Sequence, residues 1–237
     1  MAKSNGIGIP RGLFFYRYRP FLTNFADSID ADIAFGAKTN DRIRRAGRCV
    51  CNERACAAEK IFAGHCQALQ EKGYELFVPE EFRPRAGSKS CASDPFAAGG
   101  DTACFKDALW QAVDRQGVGK RSFDAAFANG AHAQQYTVRG YDNQGYPYKV
   151  LLAGRPYSIY DEYANLNLVS KLHRMNIGVV TPERLLERTE KEIAGVIYIG
   201  CFGCSEDAAR ISDLHKLFVG VPFLVVETGE HLYNAGL

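Results

Sequence analysis

The chain has 237 residues, with 29 basic and 27 acidic side chains, a formal net charge of +2 and a hydrophobic fraction of 46%. This composition is that of an ordinary folded protein, and it excludes both a disordered chain and a strongly basic nucleic-acid-binding protein. Because the N-terminus lacks a signal-peptide pattern and no apolar run is long enough to span a bilayer, we expect a cytoplasmic protein of two small domains that binds no nucleic acid and no membrane.

Apolar runs bounded by glycine and proline alternate with segments of helical period in the first half of the chain. This alternation is typical of βαβ units that build a mostly parallel sheet. The arginines at positions 42, 44, 45 and 48 are interpreted as the solvated face of a helix. The predicted elements of this half are a strand at Ile7–Pro10, a helix at Arg17–Ile29, a strand at Ala31–Phe35, a helix at Ala55–Lys72 and a strand at Glu75–Pro79.

The middle of the chain, residues 80–148, predicts loop and helix rather than sheet. It contains helical patterns at Asp101–Val113 and Ser122–Ala133, and it ends in the Gly/Tyr/Pro-rich segment Gly140–Pro147. We place the domain boundary in that segment, because glycine and proline accumulate in linkers. The prediction is an N-terminal α/β domain with a loop and helical extension at 1–145 and a C-terminal α/β domain at 146–237.

The second half of the chain repeats the strand–helix alternation more regularly than the first. The predicted fold class is therefore α/β, with two doubly wound domains of flavodoxin or Rossmann type, mostly parallel sheets and a partly helical middle segment. The predicted strands are Lys149–Ala153, Ile177–Val180, Val196–Ile199 and Pro222–Val226, and the predicted helices are Glu162–Met175, Pro182–Lys191 and Glu206–Val219.

Several loops follow the carboxyl ends of predicted strands, where open parallel sheets bind their ligands. Arg11 and Gly12 follow the first strand, and Arg155, Tyr157 and Tyr160 follow the first strand of the second half. Because arginine pairs with phosphate oxygens through two parallel hydrogen bonds, we predict that these residues bind a cofactor through a phosphate of CoA or of a nucleotide. Salt bridges within the loops are the alternative interpretation of the two arginines.

The eight cysteines of the chain indicate metal binding or redox chemistry, because a disulfide framework is not expected in a reducing compartment. Cys56 begins a predicted helix and Cys204 directly precedes another, where the positive end of the helix dipole favours a thiolate. The spacing Cys201-x-x-Cys204 with Cys49-x-Cys51 is compatible with a four-thiolate zinc site, and the cysteine spacing of ferredoxins is absent. Spacing alone leaves an iron–sulfur cluster, zinc and buried thiols open.

Motifs along nearly the whole chain occur in the order seen in one family. The most specific are the opening Gly8-Ile9-Pro10-Arg11-Gly12 and the loop Gly154-Arg155-Pro156-Tyr157. With them the chain resembles the uncharacterised domain of CoA enzyme activases, a relative of the cluster-carrying subunits of 2-hydroxyacyl-CoA dehydratases. The other matching motifs are the segment from Cys56 to Gly64-His65, Cys91 in its loop, Phe202-Gly203-Cys204, Pro222-Phe223-Leu224 and Glu230-His231.

The resemblance implies that Cys56, Cys91 and Cys204 hold a [4Fe–4S] cluster, or a larger iron–sulfur cluster, between two α/β domains. It also implies low-potential electron transfer or reductive chemistry with an ATP-dependent activase of the actin-like ATPase superfamily, on a CoA-linked small molecule. An uncovered sheet face would favour a homo- or hetero-oligomer. The alternative is a non-catalytic zinc-binding or scaffold domain of a larger activase assembly.

The remaining cysteines and the family-matched histidines have no role that the resemblance names. Because a lone histidine is more often a hydrogen-bonded structural group than a ligand, His65 and His231 are predicted to lie outside the site. The other predictions are that Cys66 and Cys104 pack within helices and that Cys49, Cys51 and Cys201 lie near the cluster or support a larger one.

Overall fold

The structure is a computed structural model of the chain, and it describes residues 6–12, 14–53, 55–79, 102–137, 139–186 and 193–229. The chain divides into two compact units. The first unit comprises Met1–Glu53 and Glu59–Thr137, and the second comprises Arg54–Ala58 and Val138–Leu237. The main segment of the second unit begins at Val138, before the boundary that the sequence predicts at residue 145. The second unit also includes the short segment Arg54–Ala58 from the first half of the chain.

The first unit contains a parallel three-stranded sheet in the order β2-β1-β3. The central strand pairs through Ile7 with Ile33 on one side and with Glu75 on the other. The described elements are β1 (Ile7–Ile9), α1 (Phe15–Asp27), β2 (Ile33–Phe35), α2 (Asp41–Val50), α3 (Ala57–Gln70), β3 (Glu75–Leu76), α4 (Thr102–Asp114) and α5 (Lys120–Tyr136).

An aromatic core holds α1 against α4 and α5. Phe21 of α1 is fully buried, and its ring centroid lies 5.4 Å from that of Phe105 and 5.1 Å from that of Phe127. The helical period predicts this face, because Tyr18, Phe21 and Phe25 recur at intervals of three and four residues. Burying each such ring contributes roughly 1.5–3 kcal/mol, so this core anchors the helical middle of the chain to the unit.

Helices α2 and α3 pack backbone to backbone at two glycines. A Cβ on Gly47 would overlap the carbonyl oxygen of Lys60, and a Cβ on Gly64 would overlap that of Ile43. The interpretation of the α2 arginines as a solvated face is therefore wrong at Arg44, which is 5% exposed. That side chain shares the packed side of α2 and lies 3.4 Å from the Asp41 carboxylate one turn earlier.

The close approach at Gly64 predicts that Gly64→Ala destabilises the first unit. The added methyl group has no space to enter, so the two helices must separate, and we expect a loss of about 1–3 kcal/mol in the free energy of unfolding. Urea unfolding followed by the fluorescence of Trp110, the only tryptophan, checks this. Gly119→Ala is the control, because open space surrounds that position; equal stability of the two variants would contradict the close approach.

The second unit contains a parallel four-stranded sheet in the order β5-β4-β6-β7. The described elements are β4 (Tyr148–Gly154), α6 (Pro156–Tyr160), α7 (Leu168–Arg174), β5 (Ile177–Val180), α8 (Pro182–Leu186), β6 (Gly195–Cys201), α9 (Ser205–Leu217) and β7 (Phe223–Thr228).

Both faces of this sheet carry a buried core. Leu152 faces the cluster that includes Ile159 of α6 and Leu172 of α7. Its neighbour Leu151 faces the opposite cluster, against which Leu214 of α9 packs. Successive residues of a strand point to opposite faces, so helices cover the sheet on both sides. The predicted α/β class with doubly wound parallel sheets is confirmed.

Two secondary-structure predictions for the second unit are wrong, one for the start of a helix and one for a loop. The helix predicted at Glu162–Met175 begins only at Leu168, because Leu166 and Asn167 adopt left-handed backbone conformations with φ of 55° and 56°. The loop predicted after Gly154 contains the short helix α6, in which Pro156 occupies the first turn. Among the described helices, none combines the length and the apolar character that crossing a membrane requires.

Candidate functional site

The carboxyl end of β6 carries two cysteines on a tight turn. Cys201 is the last residue of β6, and Cys204 is the residue that precedes α9. The Cys204 amide donates to the Cys201 carbonyl oxygen at 3.1 Å, and Gly203 provides the left-handed conformation, with φ of 72°, that the turn requires. The sequence Cys-x-x-Cys thus folds into a turn that brings both thiols to the ligand-binding edge of the sheet.

Asp207, in the first turn of α9, organises this edge. Its side chain is 3% exposed. Oδ2 accepts a hydrogen bond from the Cys201 amide at 2.8 Å, and Oδ1 accepts one from the Tyr198 hydroxyl at 3.0 Å. Oδ1 also accepts from Nε of Arg155 at 3.2 Å. One buried carboxylate therefore joins the end of β6, the start of α9 and the loop after β4.

Arg155 extends from the loop after β4 to the cysteine turn. One terminal nitrogen of its guanidinium donates to Glu206 at 2.8 Å and to Sγ of Cys204 at 3.0 Å. Burial by itself would lower the pKa of Arg155, but Tyr157 first, and then Asp207, Cys204 and Glu206, raise it above its usual value. A permanent cation therefore contacts the Cys204 sulfur.

Cys56 joins the same group of thiols through the short segment Arg54–Ala58 of the second unit. The thiol of Cys56 donates a hydrogen bond to the sulfur of Cys201. This bond, helped by one from the Ala57 amide, lowers the pKa of Cys201 although burial opposes the shift. We call Cys56, Cys201 and Cys204 the thiol cluster.

Tyr157, in α6, is a buried side chain whose titration responds to the thiol cluster. Its side chain is 9% exposed, and burial is the main reason that its pKa lies well above the usual value for tyrosine. Cys56 and Cys201 add to this shift and Arg155 opposes it, so the phenol lies within electrostatic range of all three. The phenol therefore stays protonated at neutral pH.

The structure brings together some of the predicted site residues and separates others. Cys56, Cys204, Arg155 and Tyr157 meet at the thiol cluster. The Tyr160 hydroxyl instead donates to Glu183 at 3.0 Å, and this carboxylate also pairs with Arg139. Arg11 and Gly12 belong to the first unit, and Cys91 lies outside the described residues.

The cysteines without an assigned role fall into different environments. Cys201, which was predicted to lie near the cluster or to support a larger one, contacts Cys56 in the thiol cluster. Cys66 is half-buried in α3, and burial raises its pKa to about 12, with a smaller contribution from Cys51. The prediction that Cys104 packs within its helix is wrong, because its side chain is exposed on α4. Cys49 is also exposed.

The thiol cluster supplies the right donor chemistry for a soft metal centre, because thiolates are the ligands of iron–sulfur clusters and of structural zinc. No disulfide joins any of the cysteines in the described part of the chain. Within that same part, no group of three or more histidine, cysteine, aspartate or glutamate side chains is placed to hold a metal ion. The described residues therefore fit such a centre in chemistry but do not complete its ligand set.

Comparison with known proteins identifies the family. The sequence model of one protein family, the uncharacterised domain of CoA enzyme activases, matches the chain over residues 6–93 and 91–185. No curated protein and no solved structure matches the chain. The matched segments include the Gly8–Gly12 opening, Cys56 and the loop of Arg155 and Tyr157, whereas Cys201 and Cys204 follow them. Because these segments cover most of the chain, it belongs to the family of the uncharacterised domain of CoA enzyme activases.

Proposed function

We propose that this protein binds an iron–sulfur cluster of the [4Fe–4S] type at the thiol cluster and uses it for low-potential electron transfer or reductive chemistry. The observation that carries the proposal is the meeting of Cys56, from early in the chain, with Cys201 and Cys204 at the end of β6. Cys201 is buried, and Cys56 and Cys204 are half-buried at the same edge of the sheet. Their chemistry is that of iron–sulfur ligands.

The proposed ligands are Cys56, Cys91 and Cys204. The first and third belong to the thiol cluster, and the second comes from the family resemblance. Cys201 is adjacent to Cys56 and is the substitute if Cys91 does not contribute. When bound, the cluster would accept one electron and pass it to a small substrate.

The residues around the thiol cluster would adjust such a centre. Arg155 donates to the Cys204 sulfur, and hydrogen bonds to ligand sulfurs raise the reduction potential of iron–sulfur centres. Asp207 fixes the orientation of Arg155 through its Nε. These contacts support a redox function more than a purely structural one.

The proposed electron donor is an ATP-dependent activase of the actin-like ATPase superfamily, because the family takes its name from CoA enzyme activases. One electron would leave the reduced activase and enter this protein, without making or breaking a bond. The proposed substrate is a CoA-linked small molecule. Anaerobic mixing with a reduced activase and ATP, followed by EPR, would test the transfer.

Metal analysis after anaerobic purification tests the proposal directly. We expect a brown protein with about four iron and about four sulfide per chain and an EPR signal after reduction. Cys56→Ser and Cys204→Ser are each expected to lose most of the iron. Cys104→Ser is the matched control, because that thiol is exposed in the first unit and should not affect iron content.

The same analysis assigns the third ligand and tests the second candidate function. Loss of iron in Cys91→Ser but not in Cys201→Ser would assign Cys91, and the reverse would assign Cys201. The second candidate is a non-catalytic zinc site, which the pair Cys201 and Cys204 together with Cys56 also suits. Stoichiometric zinc without iron would favour it, and a colourless, iron-free protein after anaerobic reconstitution would contradict the iron–sulfur proposal.

A further inference from the structure

The structure gives Cys201 a different thiol neighbour from the one that its sequence motif suggests. In a Cys-x-x-Cys motif, the two cysteines of the motif are the usual redox pair. Here the sulfur of Cys201 receives a hydrogen bond from the thiol of Cys56 and a second one from the Ala57 amide. Two adjacent residues of the segment Arg54–Ala58 therefore contact one sulfur, and that segment belongs to the same compact unit as Cys201.

The Cys204 sulfur is held by a different partner. It accepts a hydrogen bond from Arg155 at 3.0 Å. The same guanidinium donates to Asp207 at 3.2 Å and to Glu206 at 2.8 Å, so two carboxylates fix its position. A disulfide between Cys201 and Cys204 would require the Cys204 sulfur to leave this charged contact. A disulfide from Cys201 to the neighbouring segment would leave it intact.

The two thiols in contact differ in their access to solvent. Cys201 is 8% exposed, whereas Cys56 is half-buried. A small oxidant in solution therefore reaches the sulfur of Cys56 first. Cys201 is shielded from the oxidant, but it already lies next to the sulfur that it would attack. This is the arrangement of a reactive cysteine with a resolving cysteine behind it.

We propose that Cys56 and Cys201 form a reversible disulfide when no metal occupies the thiol cluster. The two sulfurs need only lose their protons and approach to about 2 Å, the length of the bond. Because Cys56 is one of the proposed ligands, the disulfide prevents assembly of an iron–sulfur cluster until a thiol reductant opens it. This effect on the cluster rests on the proposed function, whereas the disulfide itself does not.

The oxidant is a small disulfide of the glutathione type, and the reaction consists of two thiol–disulfide exchanges. The Cys56 sulfur loses its proton to water and attacks one sulfur of glutathione disulfide, whose S–S bond breaks and releases one glutathione. The Cys201 sulfur then loses its proton and attacks the Cys56 sulfur of the mixed disulfide, which releases the second glutathione. Two protein thiols are oxidised and one disulfide is reduced to two thiols, so no other electron acceptor takes part.

Peptide mapping of the 237-residue chain tests the disulfide without reference to iron. The protein is reduced, kept in a metal chelator, treated with excess glutathione disulfide, blocked with N-ethylmaleimide and digested with trypsin in the absence of reductant. Trypsin places Cys56 on the peptide of residues 55–60, and Cys201 with Cys204 on that of residues 192–210. We expect these two peptides as one cross-linked species that dithiothreitol separates.

Three single variants assign the cross-link, because trypsin does not separate Cys201 from Cys204. Cys204→Ser is the matched control and should keep the cross-linked species, whereas Cys56→Ser and Cys201→Ser should each lose it. In Cys201→Ser the peptide of residues 55–60 should carry one glutathione, because the first exchange remains possible and the second does not. Circular dichroism identifies any variant that fails to fold, and the map of the unsubstituted protein depends on none of them.

Two results of the mapping would overturn the proposal. One is a disulfide confined to the peptide of residues 192–210, seen as the loss of the mass of two hydrogen atoms without a cross-link to residues 55–60. The other is an unsubstituted protein in which Cys56 remains a mixed disulfide with glutathione or an unmodified thiol. Either result would show that the contact between Cys56 and Cys201 does not lead to a bond.

Metal binding then separates the disulfide from the proposed function. Cobalt(II) is the probe, because the sulfide that rebuilds iron–sulfur clusters would itself reduce a disulfide. The reduced protein should show the charge-transfer absorption of cobalt bound to thiolates, and the cross-linked protein should lose it until dithiothreitol is added. Equal absorption in both samples would overturn the effect on assembly. No absorption in either sample, with the cross-link still mapped, would count against metal binding and leave the disulfide established.

Discussion

Asp207→Ala is expected to lower the free energy of unfolding of the second unit by about 2–5 kcal/mol, because it leaves two buried hydrogen-bond donors unpaired at about 1–3 kcal/mol each. The carboxylate is 3% exposed and accepts hydrogen bonds from Arg155, Tyr198 and the Cys201 amide. Alanine leaves the hydroxyl and the amide without this acceptor, and Arg155 keeps only Glu206 as an acidic partner. Urea unfolding followed by far-UV circular dichroism measures the loss.

Two variants show whether the loss arises from this particular contact. Asp213→Ala lies on the same helix, but its pair with Lys216 is about three-quarters exposed, so we expect a change below about 1 kcal/mol. Asp207→Asn keeps an oxygen acceptor without the charge and should lie between the two. Trp110 reports on the first unit. Similar unfolding curves for Asp207→Ala and Asp213→Ala would show that the carboxylate is not the structural centre described here.

The thiol cluster should also respond to Asp207→Ala. The carboxylate holds both the Cys201 amide and the guanidinium that contacts the Cys204 sulfur. Its removal therefore loosens the backbone of Cys201 and the guanidinium that contacts Cys204, although neither cysteine is substituted. The stability of the second unit and the geometry of its cysteines rest on the same buried side chain.

Hydrophobic pattern predicted the strands better than the helices. Ile177–Val180 is a buried apolar run between turn residues, and the structure places β5 at the same residues. The helix after β4 was predicted too long, because Leu166 and Asn167 suit a helical pattern while their left-handed backbone is set by the turn around them. The burial of Arg44 is likewise not predictable from the local pattern. Its burial depends on the contact of Gly47 with α3, which no pattern within α2 reveals.

The sequence predicted only those residues of the candidate site that directly follow a strand of the sheet. Cys204 and Arg155 follow strands, so the strand-end rule found both. The contact of Cys56 with Cys201 depends on the segment Arg54–Ala58 belonging to the second unit, and nothing in the local sequence indicates that. His65 was predicted to lie outside the site, because the local sequence does not show that one of its ring nitrogens is buried without a partner among the described residues. Whether a buried ring nitrogen has a partner is a property of the tertiary structure.

The stability of the first unit should fall by about 3 kcal/mol as the pH is lowered from 7 to 4, through His65 alone. Burial and then Arg11 lower its pKa from 6.5 to about 4 in the folded chain. The unfolded chain therefore binds this proton below about pH 6.5 and the folded chain only below about pH 4. Between these values the unfolded state carries more protons, so acid favours unfolding. Urea unfolding monitored by Trp110 fluorescence in phosphate-free buffers measures the slope.

Comparison with His65→Gln isolates this histidine from the carboxylates that also titrate in acid. Glutamine does not titrate, so the stability difference between wild type and His65→Gln should shrink by about 3 kcal/mol over the same pH range. Equal slopes for wild type and His65→Gln would show that the imidazole is not held neutral.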